Sequence, residues 1–299
     1  MKPVLKWAGG KARLADRIAA VFGESCRGTY FEPFLGSGAV FLRLKAAKLI
    51  RKAVLSDVNA KLIAVHVALR DHLAKVFAHL DEMPRDDWRE RYYDVRERFN
   101  EGPHRGPAHA ARFLWLNRTG YNGLYRENRK GKYNVPVGRY KAVRLPSRDH
   151  FRQVSELLAG TELCSLPFEE VIANAKGRDQ VYCDPPYVPL DATSRFTDYC
   201  ALPFGHEQQL ALADSSRQAA GRGAHVVLSN HDLPIVRDEI YPVASGFRHV
   251  QEFDVRRAIS CGKRRRVGEL LADISPESTG QEGRSEVLRK RAQGGGRRR

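Results

Sequence analysis

Short apolar segments alternate with helical patterns in this chain of 299 residues, and the alternation restricts its fold more than any other feature. A helical spacing over Leu14 to Phe22 precedes the strand-like Tyr30-Phe31, and a second helical pattern covers Val40 to Leu49. The short apolar segment Ala53-Val54-Leu55 comes next. This β-α-β rhythm predicts a parallel sheet covered by helices.

The same signals return after a long helical interruption. Residues 61–116 carry apolar side chains three and four positions apart, and a polar segment rich in Asn, Gly, Arg and Tyr follows. Strand composition then recurs at Gln180 to Cys183 and His225 to Asn230, with a helical pattern over Phe204 to Ala220 between them. We therefore predict one Rossmann-like α/β fold with a parallel sheet, interrupted by a smaller, mainly helical domain.

The predicted boundaries follow this pattern. One domain comprises residues 1–60 and 145–274, and the helical domain comprises residues 61–144. Residues 275–299 are rich in Gly, Ser, Gln and Arg, which predicts a disordered basic tail with a weak, salt-sensitive attraction to DNA.

Basic residues outnumber acidic ones, with 51 Lys and Arg against 35 Asp and Glu, so the formal net charge is +16. Such an excess predicts a polyanionic partner, nucleic acid before an anionic membrane. No segment has the composition of a membrane span or a signal peptide, which disfavours the membrane. No coiled-coil pattern is present, so we expect a monomer without an obligate protein partner.

The cysteines are scattered and form no Cys-x-x-Cys pair, and no histidine lies near them at metal-ligand spacing. They are Cys26, Cys164, Cys183, Cys200 and Cys261. We expect reduced thiols, no metal site and a cytoplasmic protein.

A glycine-rich turn, Phe31 to Gly38, lies between a predicted strand and a predicted helix. Gly36 and Gly38 permit a tight turn and a close approach of the backbone to a ligand, although a purely structural role suits them equally. Asp57 ends the next strand. In Rossmann sheets, a carboxylate at this position binds the ribose hydroxyls of a nucleoside. Neither a third glycine nor a phosphate-loop Lys-Ser/Thr is present, so S-adenosylmethionine, a nucleoside with a small charged substituent, fits best.

Asp184-Pro185-Pro186-Tyr187 directly follows the strand that ends at Cys183. Ligand sites in open α/β sheets lie at this end of the strands. An exocyclic amine is a poor nucleophile because its lone pair is delocalised into the ring. If the Asp184 carboxylate and the Pro185 carbonyl accepted its two hydrogens, the lone pair would be free for in-line attack on a sulfonium methyl.

The neighbouring residues suit this chemistry. Prolines at 185 and 186 make the turn stiff, and Tyr187 can stack on a base flipped out of the helix. The structural alternative is a Pro-Pro turn with a solvated aspartate. No cysteine directly follows a proline, so the covalent route to carbon-5 of cytosine is not available.

In their order along the chain, these motifs resemble the Dam-type (D12 class) DNA adenine-N6 methyltransferases. The resemblance spans residues 2–272. The matching segments are Lys6 to Lys11, Phe31 to Gly38, Ser56 to Asn59, Leu116 to Tyr140, Asp184 to Leu190 and Leu228 to Asp232. Two departures are Tyr125, where a relative has a smaller residue, and a shortened, more basic segment at Ile259 to Arg264.

The resemblance implies a methyltransferase fold with an inserted target-recognition domain, S-adenosylmethionine as cofactor and double-stranded DNA as substrate. It implies that Trp7 and Lys11 border the cofactor, that Phe34 packs beside it and that Asp57 binds its ribose. Asp184 would face both the methionine part and the target amine.

The resemblance further implies that residues 118–140 contain the DNA-recognition hairpin and that the site is GATC. Arg126 would contact a guanine, a role that suits its forked donors. Leu124 and Pro136 would contact thymine methyls, and Tyr121 and Asn122 would enter the base stack near the flipped adenine. The further DNA-binding residues are Arg118, Asn134 and Arg139.

Three alternatives remain. Methyltransferases of a protein glutamine or of RNA would carry Asn in place of Asp184 and would lack the segment from Tyr121 to Tyr140. Cytosine-N4 methylation uses the same kind of turn, but the recognition segment favours adenine. A DNA-binding protein without activity is disfavoured because the two turn glycines, Asp57, Asp184 and Tyr187 are all intact.

Overall fold

The chain folds around one mixed sheet. The computed structural model describes residues 1–9, 11, 14–23, 26–189, 204–255 and 267–276. Gly10, Leu190, Cys200, the segment at 259–264 and residues 277–299 of the predicted tail lie outside these ranges.

Strands and helices alternate over residues 15–56 and again over residues 148–231, as predicted. The strands are β1 (Thr29–Glu32), β2 (Lys52–Ser56), β3 (Glu162–Cys164), β4 (Gln180–Cys183), β5 (His225–His231), β6 (Arg248–Val255) and β7 (Val267–Ile274). The helices are α1 (Ala15–Phe22), α2 (Ala39–Ala46), α3 (Ala60–Asp71), α4 (Leu73–Asp81), α5 (Tyr92–Glu101), α6 (Gly106–Thr119), α7 (Arg148–Leu158), α8 (Phe168–Ala173) and α9 (His206–Gly221).

The strand order is β3-β2-β1-β4-β5-β7-β6. The first five strands in this order are parallel, whereas β7 runs antiparallel to both β5 and β6. The carboxyl ends of the five parallel strands therefore meet at one edge, which we call the ligand edge. The prediction of a Rossmann-like α/β fold is confirmed, but the prediction that its sheet is parallel throughout is wrong, because β7 reverses direction.

Each face of the sheet has its own hydrophobic core. Successive side chains of a strand point to opposite faces, so Tyr30 lies in one core and Phe31 in the other. The core that contains Tyr30 is continuous with Leu69 of α3 and Trp115 of α6. Helix α3 contacts both α6 and α7, so the predicted boundary at residues 60/61 lies within a shared core. The separation into two domains remains a prediction.

After α6 the chain forms an irregular hairpin, residues 120–140, which we call the recognition hairpin. Isolated bridges pair Gly120 with Val137 and Glu127 with Tyr133. Asn100 of α5 fixes the hairpin, because its side chain accepts from the Tyr133 N–H at 2.7 Å and donates to the Tyr133 carbonyl at 3.0 Å. The recognition hairpin is therefore held against helix α5 by these two hydrogen bonds.

The described cysteines, Cys26, Cys164 and Cys183, are free thiols. Within the described ranges, His, Cys, Asp and Glu side chains form no group of three that could hold a metal ion. No helix in the same part of the chain is long and apolar enough to cross a membrane.

Candidate active site

Buried amide side chains hold the Asp184 turn at the ligand edge. Gln209 of α9 donates from Nε2 to the Pro186 carbonyl at 2.7 Å, and its Oε1 accepts from Asn230 Nδ2 at 3.0 Å. Asn230, on β5, in turn accepts the Val188 N–H at 3.1 Å. Among the described residues, no donor binds the Pro185 carbonyl. These hydrogen bonds hold the turn in place and leave the Pro185 carbonyl without a protein donor in that part of the chain.

Lys11 lies between two carboxylates. Its Nζ is 3.0 Å from Asp184 Oδ1 and 3.3 Å from Glu269 Oε1, and it also donates to the Gly9 carbonyl at 2.8 Å. The Lys11 and Glu269 side chains are each 8% exposed, whereas Asp184 is 20% exposed. The Tyr187 hydroxyl donates to Glu269, and Lys11 Nζ lies 4.5 Å from the centre of the Tyr187 ring. Asp184 is the member of this cluster most open to a ligand.

Burial and charge set the protonation of the cluster. Burial raises the pKa of Asp184, and the Lys11 ammonium lowers it in part. Burial lowers the pKa of Lys11, but Asp184 and Glu269 together bring it above its ordinary value. Burial raises the pKa of Tyr187 well above its usual range, and the Asp184 and Glu269 charges add to this. Lys11 is therefore a cation and Tyr187 a neutral phenol at pH 7.

The glycine turn closes on Asp57 at the end of β2. Asp57 Oδ2 accepts the Gly36 N–H at 2.9 Å, and Oδ1 accepts the Asn59 N–H at 3.0 Å. Gly36 has a φ of +50°, and a Cβ atom there would lie 2.8 Å from Trp7 Cδ1. Only glycine fits beside Trp7 in this conformation. The turn is also tied to α3, because His66 Nε2 donates to the Gly36 carbonyl at 3.0 Å.

The groups around this turn suit an adenosine ligand. Each Asp57 oxygen retains acceptor capacity beyond its backbone bond, which fits ribose hydroxyls. Two apolar side chains beside Asp57 are unusually open, with Val58 57% and Leu166 38% exposed. Phe34 is half-buried and stacks on Phe168 at 5.6 Å. A carboxylate flanked by exposed apolar surface fits a sugar joined to a flat heterocycle.

An aromatic stack joins the glycine turn to the recognition hairpin. The Trp7 ring lies 5.7 Å from Tyr125, which in turn stacks on Phe113 at 5.1 Å and an interplanar angle of 11°. Asn117 adds a polar link, because its side chain bonds both the N–H and the carbonyl of Lys6 and also donates to the Gly123 carbonyl. The N-terminal segment is therefore sandwiched between the turn and the hairpin.

The predicted DNA-binding residues lie in different environments. Those on the open surface of the hairpin are Tyr121, Asn122, Pro136 and Arg139. Leu124 is half-buried. Arg126 donates from Nε to Asn134 Oδ1 at 2.7 Å and from Nη2 to the Asn134 carbonyl at 3.3 Å. Arg118 is half-buried and donates to the Val4 carbonyl, so it contacts the N-terminal segment.

Several residues of the site were not predicted. Glu269 completes the Lys11 cluster, His66 supports the glycine turn, and Gln209 fixes the Asp184 turn. A lone glutamate before the apolar Leu270-Leu271-Ala272 was a usable signal for Glu269. His66 and Gln209 stand on ordinary helical patterns, and their sequence context carries no such signal.

A family model described as D12 class N6 adenine-specific DNA methyltransferase matches residues 7–252. The chain belongs to this family. The methyltransferase is therefore adenine-specific and acts on DNA, and its family implies a methyl donor of the S-adenosylmethionine type. The resemblance found in the sequence is confirmed.

Relatives cover nearly all of the methyltransferase. The type II methyltransferase M.MjaIII of Methanocaldococcus jannaschii is 34% identical over 288 residues, which are 91% of this chain and 98% of that protein. DNA adenine methylases of Salmonella typhi and Escherichia coli are 39% and 38% identical, and each alignment covers 91% of this chain and 95% of the relative.

Proposed function

We propose that the methyltransferase transfers a methyl group from S-adenosylmethionine to N6 of adenine within GATC in double-stranded DNA. The adenine would be flipped out of the helix, and its N6 would attack the methyl carbon directly, so that the sulfur–methyl bond breaks, S-adenosylhomocysteine leaves and the methylated amine loses one proton. One observation carries the proposal: Asp184 and the Pro185 carbonyl lie on a rigid turn at the ligand edge, beside the Lys11 cluster.

The cofactor would be held by the residues of the glycine turn and their neighbours. Asp57 would accept the ribose hydroxyls, Val58 and Phe34 would flank the adenosine, and Gly36 would let the backbone approach it. Lys11 and Trp7 would border its other end. When bound, S-adenosylmethionine supplies an electrophilic sulfonium methyl.

The chain's own part in the chemistry is to orient the amine. Asp184 Oδ and the Pro185 carbonyl would accept its two hydrogens, which localises the lone pair on nitrogen. A fixed turn suits this role because the acceptors need no reorganisation during the reaction. The Asp184 carboxylate must be ionised to accept both the amine and Lys11, so transfer requires a pH above its raised pKa.

The recognition hairpin would hold the DNA. Tyr121 is 39% exposed and Asn122 is also on the surface, so both can enter a base stack when the adenine leaves it. Leu124 and Pro136 would meet thymine methyls, and Arg118 and Arg139 would contact the DNA near them. We include this hairpin in a recognition domain of residues 61–144.

Arg126 is the proposed guanine-contacting residue. Its hydrogen bonds to Asn134 hold the guanidinium plane, which reduces the freedom that it must lose to donate to guanine O6 and N7. Arg126→Ala is expected to lower discrimination at one base pair of the site by roughly 1–3 kcal/mol. The measurement compares methylation of GATC with that of each single-base variant.

Arg126→Lys provides the matched control, because it keeps the positive charge and loses the fork. It should lose most of the discrimination while it retains most of the DNA affinity. A uniform loss of affinity across all sequences in Arg126→Ala, with discrimination intact in Arg126→Lys, would make this residue a phosphate contact.

A further inference from the structure

We propose that Glu269 is a positioning residue of the methyl-transfer site. Its carboxylate shares the Lys11 ammonium with Asp184 and fixes the hydroxyl of Tyr187. The inference rests on the proposed role of Asp184 as the acceptor of the target amine. It assigns a role in that site to a strand that the sequence motifs did not include.

The reversed direction of β7 brings Glu269 to the ligand edge. Because β7 is antiparallel to β5, its first residues lie beside the carboxyl end of β5, and Glu269 is paired with His231. A Cβ atom on the preceding Gly268 would lie 2.9 Å from Asp232 Cβ, so this glycine permits the close approach. The backbone of β7 therefore places residue 269 at the ligand edge, from which its carboxylate reaches Lys11 and Tyr187.

Charge balance explains why a second carboxylate is needed. If Asp184 were the only carboxylate near Lys11, the nearly buried Lys11 ammonium, 3.0 Å away, would form its whole ion pair with Asp184. Glu269, at 3.3 Å, divides that attraction, and the formal charges of Lys11, Asp184 and Glu269 sum to −1. Asp184 thus keeps acceptor capacity for the amine. The negative balance also suits a ligand that carries a positively charged sulfonium group.

The Tyr187 ring depends on the same carboxylate. Its hydroxyl donates to Glu269, its face lies 4.5 Å from Lys11 Nζ, and its edge packs on His231 with ring centres 4.9 Å apart. Without an acceptor, this hydroxyl would lose its partner and the ring its fixed orientation. Glu269 therefore positions the ring proposed to stack on the flipped base.

The test measures single-turnover methyl transfer to a GATC duplex as a function of pH. Glu269→Gln keeps an acceptor for Tyr187 and removes the charge. We expect the rate to fall roughly 10- to 100-fold, as for the loss of one hydrogen bond to a charged group. Circular dichroism melting shows whether each variant is folded, and calorimetric binding of S-adenosylhomocysteine shows whether the Glu269 variant keeps the cofactor site.

The pH profile separates positioning from a structural role. Asp184 is influenced by Lys11, Glu269, Tyr187, Glu32 and the groups at Tyr182 and Cys183. The Glu269 charge raises the pKa of Asp184, whereas Lys11 lowers it. The acid limb of the profile should therefore move to lower pH in Glu269→Gln and to higher pH in Lys11→Met.

Asp273→Asn is the matched control, because Asp273 is a buried, ion-paired carboxylate on the same strand, bonded to His225 and Arg248. It should keep both the wild-type rate and the wild-type acid limb. A wild-type rate and acid limb in Glu269→Gln would overturn the proposal. The proposal would also be overturned if Glu269→Gln lost rate with no shift of the acid limb and Asp273→Asn lost rate in the same way.

Two further outcomes are distinguishable. If the wild-type protein forms no N6-methyladenine in GATC, the proposed function fails, whatever Glu269 does. If Glu269→Gln does not fold, Glu269→Asp is tested in its place. Its carboxylate keeps the charge but lies farther from Lys11 and Tyr187, because the side chain is one methylene shorter. That variant should show a smaller rate loss with a shift of the acid limb in the same direction, and wild-type behaviour in both would overturn the proposal.

Discussion

Asp184→Ala is expected to slow methyl transfer by at least about 10²- to 10³-fold, the loss seen when one preorganised group is removed from a reacting centre. The variant lacks the carboxylate that would accept the amine hydrogen. The fold should persist, because Lys11 keeps Glu269 as a partner and no buried cation is left unpaired. Single-turnover transfer to a GATC duplex measures the effect.

DNA binding provides the control for Asp184→Ala. The recognition hairpin does not include this turn, so fluorescence anisotropy should give a DNA affinity close to that of the wild-type protein. A transfer rate near the wild-type value would contradict the proposed mechanism. Loss of both transfer and DNA binding would point to a misfolded variant, which melting by circular dichroism identifies.

Asp57→Ala is expected to weaken binding of S-adenosylhomocysteine roughly 10- to 150-fold, since a bond to a charged acceptor contributes roughly 1.5–3 kcal/mol. The variant loses the proposed ribose acceptor. It also leaves the Gly36 and Asn59 N–H groups without their partner, so the turn loses its anchor to β2. Isothermal calorimetry measures the affinity without any need for turnover.

Asp179→Ala is the matched control for this change. Asp179 also accepts two backbone N–H groups, from Thr29 at 2.6 Å and from Lys176 at 3.0 Å. It lies at the amino-terminal end of the strands, away from the ligand edge. Its variant should lose stability and retain cofactor affinity. Equal losses of affinity in both variants would mean that Asp57 acts only through the stability of the sheet.

Local patterns were sufficient to predict four of the five parallel strands. Four predicted strands are confirmed: Tyr30-Phe31, Ala53 to Leu55, Gln180 to Cys183 and His225 to Asn230. They could be predicted because each is a short apolar run followed by a turn signal. Strand β3 was missed, since it has three residues and is only partly buried. Its place as the outermost strand of the sheet comes from pairing with β2, which is a non-local contact.

The antiparallel end of the sheet shows why part of the site could not be predicted. Sequence alone does not give the direction of β7, and that direction decides whether Glu269 lies at the ligand edge or at the opposite edge. The contact of Lys11 with Asp184 joins residues far apart in sequence and likewise depends on the completed fold. The resemblance named both residues, but no motif linked them to Glu269.

Tyr125 is a further case. The departure from a relative was visible in the sequence, and its consequence is visible only in the fold, where the ring packs against both Trp7 and Phe113, which also contact each other. Its hydroxyl donates to Glu127, which is paired with Lys61 of α3 at 2.8 Å. The larger side chain thus ties the recognition hairpin to both the N-terminal segment and α3.

The most direct test of the proposed function is transfer of labelled methyl from S-adenosylmethionine to two matched duplexes. One contains GATC, the other has its adenine moved within the site, and mass spectrometry identifies the methylated nucleoside. We predict N6-methyladenine in the GATC duplex alone. Equal methylation of both duplexes would contradict the assigned recognition, and no methylation of either by a protein that still binds DNA would contradict the proposed function as a whole.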